Sequence, residues 1–135
     1  MRPQPLQTKP ISILLATAAS LVCSAAAAQS IQAEGTFQSK QLEVRVVLLD
    51  PEKGVAAVGT SLSQGECSGS VSGIGRFVSE QKLVFEPYVK EAETSSCKVT
   101  VEFNRAWNKV KVTSAGCSSY HGASCSWEGQ TATKK

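Results

Sequence analysis

The sequence predicts an all-β fold, a seven- or eight-stranded antiparallel meander forming a small barrel or sandwich with two disulfides. Three observations predict it. Beyond residue 34, apolar residues recur at every second position, the period of a strand with one buried face. Short clusters of Gly, Pro, Asn, Asp and Ser separate these runs, and no run reads as an amphipathic helix. Five cysteines occur in 135 residues, and four of them fall within the alternating region.

The first 28 residues read as an address. Arg2 and Lys9 precede an apolar stretch from Ile11 to Val22, which ends in Ala25-Ala26-Ala27-Ala28. A basic start, an apolar middle and small residues before a cut are the parts of a secretory signal peptide, with cleavage after Ala28. The apolar stretch is shorter than the ~20 residues of a spanning helix. Cys23 follows Val22, with Ser20 three positions before it, and lacks the surroundings of a lipidated cysteine. No membrane anchor is expected. Arg2 and Lys9 leave with the leader, so the formal charge falls from +3 to near neutral. A near-neutral domain has no general attraction for nucleic acid.

The chain then divides into a lead-in (29–34), a single β domain (35–132) and a short tail (133–135). Leu42, Val44, Val46 and Leu48 share one face, and Asp50-Pro51-Glu52-Lys53-Gly54 makes a turn. Val55–Leu62 runs back. Cys67, Gly69, Val71, Gly73, Gly75 and Phe77 share the next face. The three glycines mark a sharp barrel bend or the close approach of another backbone. Ser79–Gln81 turns into Lys82–Tyr88, and a polar loop from Lys90 to Ser96 leads to Cys97, Val99, Val101 and Phe103. Val110 and Val112 return after Asn104-Arg105, and a last strand is expected over Cys125–Thr131. Trp107 near a turn and Trp127 on that strand are packing residues.

Cys67, Cys97, Cys117 and Cys125 form an even set in an exported chain, which reads as two disulfides. In an up-and-down meander all four gather at one end. Cys97 and Cys117 border neighbouring strands, so that pair is preferred, with Cys67 joined to Cys125. The rival is Cys67–Cys97 with Cys117–Cys125. A metal reading uses Cys117, His121, Cys125 and Cys97, but oxidation would consume the thiols and the spacing is not that of a zinc knuckle. No metal or other cofactor is expected.

Catalytic groupings are sparse. His121 is the single histidine, most glutamates sit at turn or solvent-facing positions, and Ser68, Ser70 and Ser72 lack a nucleophile-elbow frame. The chain is expected not to be an enzyme. Tyr120-His121-Gly122-Ala123 offers either a loop that meets a partner or a packed tight turn.

Two stretches carry a resemblance. Cys117-x-x-x-His121-Gly122-x-x-Cys125-x-Trp127-x-Gly129 resembles the ending of small exported β-domains of Gram-negative bacteria, some of them attached to lysozyme-inhibitor lipoproteins. Ser72-Gly73-Ile74-Gly75-Arg76-Phe77, with Leu83-Val84-Phe85, is similar to the Ser-Gly-x-x-Tyr strand and its successor in periplasmic C-type lysozyme inhibitors. That resemblance implies a small barrel that presses a loop into a lysozyme cleft and meets its carboxylates. Ser72 and Gly73 match residue for residue, Phe77 stands for the tyrosine one position late, and Arg76 supplies the basic group.

The expectation is a periplasmic or secreted, non-catalytic binding protein whose partner is a wall hydrolase such as lysozyme, or a toxin. Ser72, Gly73, Arg76, Phe77, Tyr120 and His121 are the candidate contacts. The alternatives are an immunity protein against a periplasm-acting toxin, a structural or small-ligand envelope protein, and a hydrolase using His121. Eight mature aromatics, several needed in the core, leave little room for a large internal pocket.

Overall fold

In a computed structural model the protein is described over residues 32–90 and 96–135. The expected leader, residues 29–31 of the lead-in and residues 91–95 of the polar loop lie outside the described residues. The chain forms eight strands: β1 Gly35–Gln38, β2 Leu42–Asp50, β3 Val55–Gln64, β4 Cys67–Ser79, β5 Lys82–Pro87, β6 Lys98–Phe103, β7 Lys109–Ala115 and β8 Gln130–Lys134. Each strand pairs antiparallel with its successor, and β8 pairs with β1, closing the barrel in simple sequence order. Closure leaves no sheet edge exposed.

Period two decides which residues fill the barrel. Leu42, Val44 and Val46 of β2, Leu83 and Phe85 of β5, Val99 and Val101 of β6, and Val110 and Val112 of β7 are all buried. Their neighbours in sequence point outward. Each Val, Leu or Phe so buried contributes about 1.5–3 kcal/mol of transfer free energy.

Turn chemistry follows the sequence closely. Ser39 Oγ accepts from the N–H groups of Gln41 and Leu42 at the β1–β2 turn. Gly54 and Gly65 adopt positive φ, 64° and 63°, at the next two hairpins. Asn104 Oδ1 accepts from the N–H groups of Asn108 and Lys109, both at 3.0 Å, and so organises the β6–β7 turn. Within that turn Trp107 takes φ 57°, a strained choice for a bulky residue. The strain is offset by burial: its ring packs on Phe103 at 5.2 Å and Phe77 at 6.4 Å. Trp107 thereby plugs the end of the barrel where β1 starts and β8 ends.

The opposite end is closed by the segment between β7 and β8. Trp127 is fully buried there, and its indole Nε1 finds no hydrogen-bond partner among the described residues. The expected last strand, Cys125–Thr131, starts later, at Gln130. Trp127 turns into the barrel mouth instead, and the Gln130 N–H closes a turn on its carbonyl at 3.0 Å. Of the expected tail, residues 133 and 134 belong to β8. Lys134 lies opposite Phe37 in the β1–β8 ladder, and the Lys135 N–H donates to the Thr36 carbonyl.

Candidate partner-binding surface

The cysteines meet at the Trp127 end, joined as Cys97–Cys117 and Cys67–Cys125 with Cα separations of 4.4 and 5.7 Å. The first pair links the residues flanking neighbouring strands β6 and β7. The second fastens the β7–β8 segment to the start of β4. Two disulfides place the folded domain in an oxidising compartment. Cys117 and Cys125 thus belong to different bridges, and among the described residues no His, Cys, Asp and Glu side chains group as a metal site.

The β7–β8 segment is a fastened lid. It begins with a short 3-10 helix, Ser118–Tyr120, and His121 then bridges to Gly69 of β4. A side chain at Gly69 would come within 2.5 Å of His121 Cβ, so glycine is required there. The Gly122 N–H donates to the Ser68 carbonyl at 3.1 Å, and the Ser126 N–H to Gln64 Oε1 at 3.2 Å. Tyr120 is half-buried and donates its hydroxyl to the Val89 carbonyl at 3.3 Å. His121 Nδ1 lies 2.6 Å from the Gly122 carbonyl, and its ring meets Trp127 edge-on at 5.3 Å. Packing accounts for both side chains.

Ser72, Gly73, Arg76 and Phe77 do not share a face. They lie inside β4, a continuous strand of 13 residues, rather than in a loop. Ser72 and Arg76 point outward and are exposed. Gly73 points inward, where an added Cβ would strike the Glu86 carbonyl. Phe77 also points inward, onto Phe103 at 5.8 Å. Arg76 lies seven positions along β4 from Gly69, or about 23 Å at strand rise. Arg76 and the His121 lid therefore belong to opposite halves of the barrel.

The outer wall carries a feature that none of these motifs contains. Every large hydrophobic exposed among the described residues lies on or beside β2, β4 and β5: Val47, Leu49, Ile74, Val78, Tyr88 and Val89. Tyr88 is 83% exposed and Val78 62%. Leu49 and Val78 are the extra residues of bulges in β2 and β4. The wall of β6 to β8 presents Lys98, Glu102, Lys109, Lys111, Thr131 and Thr133 instead. A signal for this face was present: Val46-Val47-Leu48-Leu49 is apolar on both faces of its strand, and Tyr88-Val89 follows β5 with two large side chains.

Between β2 and β4 the face is hollowed into an open trough of about 440 Å³, lined by Arg45, Val47, Ala57, Gly59, Ile74 and Tyr88, among others. Arg45 pairs with Glu43 at 2.9 Å, and Glu86 with Lys98 at 3.8 Å. Arg76 makes no ion pair among the described residues. At the β2–β3 turn, the Lys53 N–H donating to Asp50 holds that exposed carboxyl below its ordinary value. No helix among the described residues is long and apolar enough to cross a membrane.

The fold and this wall define a class: a disulfide-stapled eight-stranded barrel with one apolar outer face. Comparison with protein-family models, curated proteins and solved structures finds no match to this chain.

Proposed function

We propose that this is a periplasmic or secreted, non-catalytic binding protein whose partner is another protein, most concretely a lysozyme or another cell-wall hydrolase. One observation carries the reading: the exposed large hydrophobics gather on a single wall of a closed, doubly stapled barrel. Contiguous apolar surface on an otherwise polar exterior marks contact sites, and a preorganised scaffold loses little freedom on docking. His121 supports the non-catalytic part, since its Nδ1 engages a backbone carbonyl and its ring packs on Trp127.

The mode of contact differs from a loop pressed into a cleft. Ser72 and Arg76 lie mid-strand, so the wall itself would abut the hydrolase, with the Arg76 guanidinium beside its acids. The test is an activity assay of several purified lysozymes with and without the oxidised domain. Inhibition that saturates at one-to-one stoichiometry is expected. Unchanged turnover at micromolar excess would remove the hydrolase as the partner.

A further inference from the structure

The trough has a shape that the fold does not need. Register places Val47 opposite Ala57, and Ala57 opposite Ile74, so this outward row reads large, small, large across β2, β3 and β4. The adjacent row runs Arg45, Gly59, Ser72. Outward positions on a central strand favour β-branched or aromatic side chains, and Ala and Gly forgo that gain. Gly59 is not forced by its backbone. Its φ is not positive, and an added Cβ would meet only the Ser72 hydroxyl, at 3.3 Å. Gly69, Gly73 and Gly75 differ, because a Cβ at each would strike backbone. Small residues at 57 and 59 keep the groove open. With strands about 4.8 Å apart, its walls stand about 10 Å apart, the width of one chain segment.

The charge pattern is equally selective. Arg45 is answered by Glu43, whereas Arg76 is exposed and forms no ion pair among the described residues. It stands two residues beyond Ile74 on β4, about 7 Å along the wall. An apolar groove with Arg76 two residues along β4 from its lining residue Ile74 is complementary to an apolar side chain followed by a carboxylate at that spacing.

We infer that the trough is a docking groove for a protein segment that lays an apolar side chain over Ala57 and Gly59 and sets a carboxylate against Arg76. This deepens the protein-binding reading above and rests on it. A segment in extended conformation meets the requirement with the two residues at positions i and i+2, since both then face the wall.

The test pans a displayed library of random peptides against the oxidised domain. Enriched peptides are expected to pair an aromatic or aliphatic residue with Asp or Glu two positions away. Their synthetic forms should bind Ala57→Trp and Arg76→Glu about tenfold or more weaker than wild type, the scale of losing one anchor. Replacing the peptide's acid with Lys should restore binding to Arg76→Glu. Gly59→Leu, which fills the same groove from another position, should reproduce the loss, with circular dichroism confirming that each variant folds. Peptides without an acid, or equal affinity for wild type and Ala57→Trp, would overturn the inference, as would a library that yields no common pattern. A wild-type dimer in sedimentation that Ala57→Trp disperses would assign the groove to a second copy and overturn it likewise. Failure of the lysozyme assay alone removes the hydrolase and leaves the peptide result standing.

Discussion

The glycines separate three physical situations that one residue type conceals. At Gly73, substitution by Ala sets a methyl against the Glu86 carbonyl, with the Tyr88 nitrogen 3.2 Å away. Overpacking of this kind should cost about 1–3 kcal/mol, read as a lower denaturation midpoint in urea. Gly65 has open space around it but φ 63°, so Gly65→Ala should cost about 1 kcal/mol from backbone conformation alone. Gly59→Ala should instead be stabilising by about 0.5 kcal/mol, through a less flexible unfolded chain. The same urea titration of all three variants checks the order, and a destabilised Gly59→Ala would contradict the case for a groove kept open at will. Asp50 gives a pH signature. Its carboxyl is held below the ordinary 3.8 by the Lys53 N–H, so its stabilisation is present above that value and lost as pH falls through the depressed one. Stability of Asp50→Asn, followed by thermal melts from neutral to acid pH, should lack that acid-side loss.

At the scale of elements, the sequence discloses strands wherever one face is buried. Leu42, Val44 and Val46, or Val99, Val101 and Phe103, alternate because the barrel interior accepts only alternate side chains. The glycines of β4 were legible as close backbone approach, and the structure shows that approach at Gly69 and Gly73. β1 was not legible as a separate strand, because four residues with one buried side chain, Phe37, show no period. The start of β8 was misplaced for a different reason: Trp127 enters the barrel mouth, a tertiary demand that local pattern does not encode. Topology favoured Cys97–Cys117, which border neighbouring strands, but left Cys67–Cys97 with Cys117–Cys125 as a rival, and the structure joins the favoured pairs. The pairs span 58 and 20 residues. Loop-closure entropy then makes Cys67–Cys125 worth about 4 kcal/mol and Cys97–Cys117 about 3 kcal/mol. Denaturation of the two double Cys→Ala variants should give losses in that order. Removing the longer bridge should also release the lid, seen as faster amide exchange over residues 118–127.

For the whole molecule, the division between inside and outside was readable, but the difference between one outer wall and the other was not. Outward residues of β2 and β4 become one surface only when register sets Val47, Ala57 and Ile74 in a row. Ser72 and Arg76 were found by motif, and belong to this wall. Gly73 and Phe77 were found with them but face the interior, where period two sends them. On the proposed reading, a stapled barrel with one apolar wall, and with Arg76 in no ion pair among the described residues, would meet a protein surface without rearranging. The most direct measurement titrates wall hydrolases with wild-type protein and with Ala57→Trp, both oxidised and equally folded. The account predicts that wild type suppresses turnover and that the filled groove weakens suppression about tenfold or more. Turnover unaffected by wild type, or suppressed equally by both proteins, would contradict it.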